Sequence, residues 1–271
     1  MSRQETSPIL YDRIGTDYDV TRHADPYLVG RLLQHLNIQS AGEFLDVACG
    51  TGNYTIAVAQ AGIRMHGIDQ SRRMIAAARG KSRAVAWHLG NVEALPFADG
   101  TFAGAMCTLA IHHFRALLPA FQEVFRVLAK GRFVLFTSTA EQMRGYWLNK
   151  YFPTAMTRSM AQMPSVKAIV DALQQSGFEE ITTDPYEVRR DLQDLFLYGG
   201  KHRPEVYLDP HVRAGISTFA ALAEPSEVED GCRGLAQDIQ SGRIADVIAA
   251  YQHAQGDYLF VVAQKQRRQP L

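Results

Sequence analysis

The stretch from Glu43 to Tyr54 limits the possible folds of this chain more than any other part of its sequence. Its residues are Glu-Phe-Leu-Asp-Val-Ala-Cys-Gly-Thr-Gly-Asn-Tyr, an apolar run that ends in an acid and continues into a small-residue turn and a helical pattern. Glycine is needed in such a turn where φ is positive or where a ligand approaches the backbone closely. The pattern therefore predicts a strand, a ligand-binding turn and a helix.

The glycine spacing excludes two common nucleotide-binding turns. Dinucleotide-binding folds carry Gly-x-Gly-x-x-Gly, and phosphate loops carry Gly-Lys-Ser/Thr after their glycines. Neither pattern is present at Gly50 and Gly52. In addition, Asp46 would repel a pyrophosphate but suits a ligand that carries an ammonium group. A nicotinamide oxidoreductase is excluded on these grounds.

The segment from Asp46 to Gly52 resembles motif I of the class I S-adenosylmethionine (SAM)-dependent methyltransferases, and is closest to their small-molecule branch, called type 11 or UbiE-like. Asp69 ends a second apolar run, in Met-His-Gly-Ile-Asp-Gln-Ser. In the family an acid at this point binds the ribose diol, since a carboxylate can accept from both hydroxyls. The alternative is that Asp69 is only a polar loop residue.

Two further segments resemble later family motifs, with departures. Gly90–Phe102 is similar to the adenine-binding segment, but Asn91 replaces the acid that contacts the adenine amino group; its carbonyl can still accept a hydrogen bond. Ala103 replaces an acid that supports this loop, so we expect a local structural change there. Phe125–Thr137 is similar to the Arg-Val-Leu-Lys-Pro-Gly-Gly segment, although its turn is one residue shorter and lacks proline.

Strand and helix patterns alternate along most of the chain, which is typical of a parallel sheet with helices on both faces. With the resemblance, this predicts an α/β fold: a Rossmann-like, seven-stranded, mostly parallel sheet whose final strand is antiparallel, with a helical cap insertion. Ligands bind such sheets at the carboxyl ends of the strands. The predicted strands are Glu43–Val47, Arg64–Ile68, Ala84–His88, Ala103–Thr108, Arg132–Ser138, Glu179–Tyr186 and Asp257–Gln264.

The expected domain organisation is a methyltransferase core over residues 1–187 and 255–271, with a helical cap over 188–254 inserted before the last strand. The family core has a short link here, and the insertion is too long for a plain loop. Residues 140–165 are rich in methionine and aromatic side chains. They either pack as ordinary core or line a pocket.

The resemblance implies SAM as cofactor and S-adenosylhomocysteine (SAH) as product. Tyr11, Tyr18 and Arg22 resemble an N-terminal pattern that folds over SAM in related enzymes. Arg22 would pair with the methionine carboxylate and Tyr18 would close the methyl site; alternatively, the tyrosines lie on the surface and anchor an arm. The expected cofactor-binding residues are Tyr11, Tyr18, Arg22, Asp46, Ala48, Gly50, Gly52, Asp69, Gln70, Met74, Asn91, Val92 and Leu109.

The candidate catalytic residues are His112, His113 and Tyr18. The two histidines follow the fourth predicted strand, and an imidazole titrates near neutrality, as a general base requires. Two alternatives stay open: one histidine packs or bonds the backbone, or both only contact SAM or substrate, since proximity alone can carry this reaction. No metal is expected, because no carboxylate or cysteine ligand lies near the pair in sequence.

The composition limits the kinds of partner that the protein is expected to bind. The formal net charge is +0, which disfavours nucleic acid, and no apolar run is long enough to span a bilayer. Three separated cysteines and a polar N-terminus without a secretory pattern predict a cytoplasmic protein. Lys201, Arg203 and Arg213 could receive an anionic acceptor or simply be solvated. The apolar cap could form a homodimer face.

The leading hypothesis is a SAM-dependent methyltransferase that acts on a small organic acceptor, with the O-, N- or C-nucleophile undetermined. SAM carries a strongly electrophilic methyl group, so such an enzyme needs mainly to position the acceptor in line with it. The alternative is a SAM- or SAH-binding protein without catalysis that uses its cap as an interaction surface. Asn91 and Ala103 lend this alternative slight support.

Overall fold

The computed structural model describes residues 18–38, 41–251 and 253–266, so Tyr11 and the side chain of Tyr18 lie outside the described residues. A single sheet is the centre of this part of the chain. Its strands are β1 (Glu43–Val47), β2 (Arg64–Asp69), β3 (Ala86–Leu89), β4 (Gly104–Thr108), β5 (Gly131–Thr137), β6 (Glu179–Tyr186) and β7 (Tyr258–Lys265).

The strand order β3-β2-β1-β4-β5-β7-β6 places β1 at the point where the connections reverse direction. Strands β1 to β5 pair in parallel, and β7 runs antiparallel between β5 and β6. Open sheets of this kind bind ligands beside the reversal, at the carboxyl ends of the strands. The predicted Rossmann-like sheet with an antiparallel final strand is therefore confirmed, with small shifts at strand ends.

Helices cover the sheet, and side-chain caps explain where several of them begin. The carboxylate of Asp25 accepts from the amide of Leu28 at 3.0 Å, and the hydroxyl of Ser71 accepts from the amide of Met74 at 3.2 Å. The helices are α1 (Tyr18–Thr21), α2 (Pro26–Leu36), α3 (Asn53–Gln60), α4 (Arg72–Lys81), α5 (Leu117–Val127), α6 (Ala140–Met143), α7 (Leu148–Tyr151), α8 (Pro153–Met160), α9 (Val166–Gln175), α10 (Pro210–Ala214), α11 (Pro225–Ser241) and α12 (Ile244–Ala250).

The core consists of two apolar layers, one on each face of the sheet. Alternate residues of a strand point to opposite faces, so Phe44 packs in one layer and Leu45 in the other. The same alternation separates Met106 from Cys107 in β4. Burial on both faces holds the central strands in fixed register, because a one-residue slip would exchange every side chain between the layers.

The first residue of β5, Gly131, packs against the backbone of Ala103. Gly131 has a φ of 109°, and a Cβ there would lie 2.0 Å from the carbonyl oxygen of Ala103. The adjacent loop is held by Arg126, whose guanidinium donates to the carbonyls of Leu95 and Phe97 at 2.9 and 2.7 Å. The loop support therefore comes from the next helix, α5.

The stretch over residues 140–163 packs largely against residues 188–254, the segment between β6 and β7 that the sequence predicts to be an insertion. Trp147 is fully buried, its indole N–H donates to the carbonyl of Lys201 at 3.1 Å, and its ring meets Tyr207 edge-on. The hydroxyl of Tyr151 donates to Asp238 of α11 at 2.8 Å. The insertion contains α10, α11, α12 and two short helical turns, at Pro204–Leu208 and Thr218–Leu222.

The basic residues of the insertion make internal contacts. Lys201 forms an ion pair with the buried carboxylate of Asp257 at 2.8 Å. The guanidinium of Arg203 donates to the carbonyl of Leu192 at 2.5 Å, and that of Arg213 to the carbonyl of Tyr207 at 2.6 Å. These contacts fix the insertion to itself and to Asp257, which precedes β7, and this leaves the three cations poorly suited to receiving an anionic acceptor.

No helix among the described residues has the length and apolar character that a bilayer crossing requires. Within the same residues, no group of three or more histidine, cysteine or acidic side chains is arranged to hold a metal ion.

Candidate active site

A cavity of about 290 Å³ opens at the carboxyl ends of β1, β2 and β4. The structure brings most of the predicted cofactor residues together around it, from five separate segments of the chain. The predicted cofactor residues that line the cavity are Arg22, Asp46, Ala48, Gly50, Asp69, Gln70, Met74, Asn91, Val92 and Leu109, and the predicted catalytic residue His113 lines it as well.

The turn after β1 follows the wall of this cavity with an unusual backbone. Ala48 and Gly50 both have positive φ, of 55° and 54°. Leu109, which follows β4 and also lines the cavity, has a φ of 55° as well. Such a value is rare for a residue with a side chain and is held only where the surrounding structure imposes it. Two residues with this rare backbone conformation, Ala48 and Leu109, thus line one cavity.

Gly52 does not line the cavity, although the motif places it in the same turn. It has a φ of 78°, and a Cβ at this position would lie 2.2 Å from the ring of Trp87. Glycine is required here because the indole packs directly on the backbone where α3 begins. Its contribution to the site is the shape of the turn.

Asp46 is a buried carboxylate at the base of the cavity. The hydroxyl of Thr55 donates to its Oδ2 at 2.5 Å, while its Oδ1 has no hydrogen-bond partner among the described residues. Burial raises the pKa of Asp46 to about 7. A cationic group on a ligand would satisfy the second oxygen and favour the ionised carboxylate.

Asp69 joins the two turns that follow β1 and β2. Its Oδ2 accepts from the amide of Gly50 at 2.9 Å, and its Oδ1 accepts from the amide of Ser71 at 2.8 Å. Each carboxylate oxygen can accept more than one hydrogen bond, so capacity for ligand hydroxyls remains. Burial raises the pKa of Asp69 above its usual range, an effect that the backbone amides oppose.

Asn91 lies at the exposed rim of the cavity. Its Oδ1 accepts from the amide of Glu93 at 3.0 Å, which closes a local turn after β3. This oxygen can accept a second hydrogen bond, as binding of an adenine amino group would require. The turn holds Asn91 and Val92 beside the cavity, in the place that the resemblance implies for an adenine contact.

Arg22 meets a residue that sequence analysis did not identify. Its Nε donates to Oδ1 of Asp194 at 2.6 Å, and the hydroxyl of Tyr54 donates to Oδ2 of the same carboxylate at 3.1 Å. Asp194 is 1% exposed, lines the cavity and belongs to the 188–254 insertion. No motif marks it in the sequence. Arg22 was expected to pair with a ligand carboxylate, and it carries this protein partner as well.

Helix α1 is tied to the first turn by Asp19. Its carboxylate accepts from the hydroxyl of Thr51 at 2.6 Å, the side-chain amide of Asn53 at 3.1 Å and the ammonium of Lys81 at 2.9 Å. Burial alone would raise the pKa of Asp19, but these hydrogen bonds lower it below its usual value. Thr51 and Asn53, which also line the cavity, could have been suspected from their places beside the motif glycines.

The two neighbouring histidines belong to different cavities. Both lie in a short helical turn, Ile111–His113, and their rings are 3.9 Å apart. His113 lines the cavity described above, where burial lowers its pKa to about 4. His112 lines a second cavity; its Nδ1 is buried without a partner among the described residues. Burial, and then the neighbouring His113, lower the pKa of His112 well below its usual value.

The second cavity has a volume of about 70 Å³ and shares two lining residues, Arg22 and Leu109, with the first. It lies at the carboxyl end of β5, between the 140–163 stretch and the insertion. Its other lining residues are His112, Thr137, Ser138, Met143, Ser159, Met163, Phe196, Leu197, Gly215, Ile216, Ser217, Thr218 and Tyr258.

The larger cavity fits the parts of SAM. The unpartnered oxygen of Asp46 suits the methionine ammonium group, and the carboxylate of Asp69 suits a ribose diol. The positive φ angles of Ala48 and Gly50 allow a ligand to approach the backbone. The donors and acceptors present in the structure are therefore those that the resemblance requires.

Comparisons with known proteins agree with this fit. A family model described as "Methyltransferase domain" matches residues 45–136, which run from β1 to β5. A solved structure from Anabaena variabilis, described as a methyltransferase from an antibiotic biosynthesis pathway, is 31% identical to this chain, with a TM-score of 0.81. The alignment covers 90% of this chain and 98% of that one.

Two curated relatives are more distant or shorter matches. The malonyl-[acyl-carrier protein] O-methyltransferase of Erwinia pyrifoliae is 35% identical over 111 residues, which make up 41% of this chain and 42% of that protein. The chain thus spans less than half the length of this relative. The demethylmenaquinone methyltransferase of Anoxybacillus flavithermus is 25% identical over 207 residues, covering 65% of this chain and 85% of that protein.

Proposed function

The chain belongs to the class I SAM-dependent methyltransferases of the type 11 kind, and from this premise we propose that it methylates a small organic acceptor bound in the second cavity. SAM is the cofactor and SAH the product of such an enzyme. The methyltransferase relatives support an enzyme rather than a SAM-binding protein without catalysis.

The shared wall of the two cavities carries this proposal. Arg22 and Leu109 line both, so a group bound in one lies next to a group bound in the other. Methyl transfer needs an acceptor held in line with the methyl group at near-attack distance, and proximity of this kind supplies much of the rate enhancement. A small cavity that adjoins a cofactor-sized one provides this arrangement.

The residues proposed to hold SAM are those of the larger cavity. Asp46 and Arg22 would bind the ammonium and carboxylate of its methionine part, Asp69 would accept from the ribose hydroxyls, and Asn91 would contact the adenine. When bound, SAM supplies an electrophilic methyl group on a sulfonium. The protein's part is to orient the two reactants and to exclude water from the space between them.

The histidines are proposed to have separate roles. Since burial lowers both pKa values, both imidazoles are neutral at pH 7. His113 contacts the cofactor side and adds no positive charge beside a sulfonium. His112 faces the acceptor cavity, where a neutral imidazole can accept a proton or a hydrogen bond from the nucleophile. Tyr18 stays a candidate for closing the methyl site.

We propose that residues 188–254 act as a cap that selects the acceptor. They contribute Phe196, Leu197 and the run Gly215–Thr218 to the second cavity. The two curated relatives, by their names, methylate malonyl-[acyl-carrier protein] and demethylmenaquinone. These acceptors differ in chemistry, so similarity to the two relatives does not identify the acceptor of this chain. The residues of the cap would determine the acceptor specificity. A cytoplasmic location and a homodimer stay predictions from the sequence.

The test combines measurements of SAM and SAH binding with a substitution that fills the second cavity. Calorimetric titration with SAM and SAH, with NADH as a negative control, should show micromolar binding of the first two alone. SAH formation is then followed with a panel of small phenols, amines and carboxylic acids. Ser217→Phe should fill the second cavity and abolish transfer while SAM affinity is kept. Ala220→Phe, at an exposed site on the same turn, is the matched control.

Three outcomes would contradict the proposal. Lack of SAM binding would remove the cofactor assignment. Transfer that survives in Ser217→Phe at the wild-type rate would remove the second cavity as the acceptor site. SAM binding with no methyl transfer to any compound of the panel would favour the alternative, a SAM-binding protein without catalysis.

A further inference from the structure

We infer that the second cavity accepts a small, uncharged molecule whose nucleophile is a hydroxyl, so that the product is a methyl ether. This inference rests on the proposed function and goes beyond it by choosing among the O-, N- and C-nucleophiles that the sequence leaves open. It comes from the charges, the hydrogen bonds and the shape of the cavity wall.

The charge of the wall is close to zero. No carboxylate is among the described residues that line the second cavity, so an ammonium group would find no counter-ion there. The one guanidinium, that of Arg22, is paired with Asp194 at 2.6 Å. Burying an isolated charge in such a site is strongly unfavourable. The wall therefore discriminates against cationic amines and against carboxylates or phosphates alike.

Most hydroxyl groups of the wall already have partners. Ser159 and Thr218 bond each other at 2.9 Å, and Thr137 donates to the carbonyl of Ser138 at 3.2 Å. The hydroxyl of Tyr258 accepts from the amide of Tyr198 at 3.1 Å. His112 differs, because its Nδ1 is buried without a partner among the described residues. It is the polar group of the wall with the clearest capacity for a new hydrogen bond.

The rest of the wall is apolar and adaptable. Leu109, Met143, Met163, Phe196 and Ile216 surround the cavity from both the sheet side and the insertion side. Methionine side chains adjust to irregular or flat ligands and make favourable contacts with aromatic rings. A compact ring that bears a hydroxyl group, such as a phenol or a cyclic enol, matches an apolar wall with one polar partner.

The chemical step balances with His112 as proton acceptor. The acceptor oxygen forms a bond to the methyl carbon, the carbon–sulfur bond breaks with its electron pair staying on sulfur, and the hydroxyl proton passes to the imidazole of His112 and then to water. A hydroxyl becomes far more acidic as its oxygen bonds to carbon. A neutral imidazole of low pKa can therefore accept the proton late in the step.

Three test compounds of similar size separate the classes of acceptor. 4-Methylphenol is neutral at pH 7, benzylamine is a cation and benzoate is an anion. Their dissociation constants are measured by calorimetry with protein saturated with SAH, a complex that cannot react. We expect 4-methylphenol to bind at least about tenfold more tightly than either ion. With SAM present, mass spectrometry should identify 4-methylanisole.

A charge introduced into the wall gives a second test. Ser217→Asp places a carboxylate in the cavity, and Ser217→Asn is its uncharged counterpart. The aspartate variant should bind benzylamine more tightly than wild type does, and the asparagine variant should not. Ala220→Asp adds the same charge at an exposed site on the same turn and should leave all three constants unchanged.

The outcomes separate this inference from the proposed function. A protein that does not bind SAH contradicts the proposed function itself. If SAH binds and benzylamine or benzoate is preferred, the neutral hydroxyl acceptor is wrong while the methyltransferase stands. If SAH binds and none of the three compounds binds the complex, the inference is equally overturned, because a neutral ring of this size should be held.

Discussion

The carboxylate of Asp194 lies 2.6 Å from the guanidinium of Arg22, and this ion pair joins the N-terminal end of the described chain to the insertion across the rim of the cofactor cavity. Both side chains are largely buried, and the hydroxyl of Tyr54 adds a third member. One contact thus links the larger cavity, the smaller cavity and the segment proposed as a cap.

Removal of Asp194 should destabilise the protein. Asp194→Ala leaves the guanidinium of Arg22 buried without this partner, for which a loss of about 3–5 kcal/mol in the free energy of unfolding is expected. Urea unfolding followed by circular dichroism measures it. Asp191→Ala, which breaks an exposed pair with Arg189, is the control and should leave the midpoint unchanged. Equal effects of the two substitutions would contradict the role of the buried pair.

Replacement of Asp69 should weaken cofactor binding. Asp69→Ala removes the proposed ribose acceptor together with the bonds to the amides of Gly50 and Ser71, so SAM affinity should fall by about 1–3 kcal/mol. Asp69→Asn keeps one carbonyl acceptor and should lose less. Calorimetric titration with SAM measures both. Wild-type affinity for SAM in Asp69→Ala would contradict the assignment of Asp69 as the ribose acceptor.

The two histidines should give different kinetic results. His112→Gln should slow methyl transfer by about 10²-fold while SAM affinity is kept, since general-base contributions are of this order. His113→Gln should change SAM affinity, because its ring lines the cofactor cavity. The readouts are the rate of SAH formation and the dissociation constant of SAM. Identical effects of the two substitutions on the rate of SAH formation and on the dissociation constant of SAM would contradict separate roles for His112 and His113.

Two buried groups should oppose each other in the pH dependence of stability. Burial raises the pKa of Asp46 from 3.8 to about 7, so folded Asp46 holds a proton that the unfolded chain releases, and its stabilising contribution is lost as pH rises through this range. Burial lowers the pKa of His113 from 6.5 to about 4, so its contribution is present above pH 6.5 and is lost as pH falls toward 4.

Matched variants separate the contributions of Asp46 and His113 to the pH dependence of stability. The stability of wild type minus that of Asp46→Asn should fall between pH 4 and pH 7, by at most about 1.4 kcal/mol per pH unit. The same difference for His113→Gln should rise between pH 4 and pH 6.5. Urea unfolding at several pH values gives both slopes. Slopes of the same sign would show that one of the two groups is not buried as described.

Two glycines allow backbone strain to be separated from crowding. Gly52 and Gly62 both have positive φ, of 78° and 85°, but only at Gly52 would a Cβ meet a side chain, that of Trp87 at 2.2 Å. Gly62→Ala should cost about 1 kcal/mol from backbone conformation. Gly52→Ala should cost about 1–3 kcal/mol more from overpacking. Thermal and urea unfolding measure both, and similar losses would contradict the packing of Trp87 on this turn.

The sequence was sufficient for the sheet and for most of the cofactor cavity, because both depend on local patterns. Glycine spacing after β1 and an acid at the end of β2 fix the turns around Asp46 and Asp69. Asp194 could not be predicted in this way: it comes from an insertion without a motif, and its approach to Arg22 depends on long-range packing.

The separation of His112 from His113 was also beyond the sequence. Both carry the same functional group, and as neighbours they would be expected in one site. The short helical turn from Ile111 to His113 rotates successive side chains by about a third of a turn. His112 thereby lines the smaller cavity, part of whose wall comes from the insertion, and His113 lines the larger one.

The origin of the acceptor wall has a consequence for variants of the protein. Among the described residues, Asp194 is the one member of the insertion that lines the cofactor cavity, whereas Phe196, Leu197 and Gly215–Thr218 line the other. Under the proposed function, substitutions in the insertion would change the acceptor while leaving the residues of the larger cavity, apart from Asp194, unaltered. Variants that change the proposed acceptor on this plan would be expected to keep Asp194, because it is the residue of this segment that also lines the larger cavity.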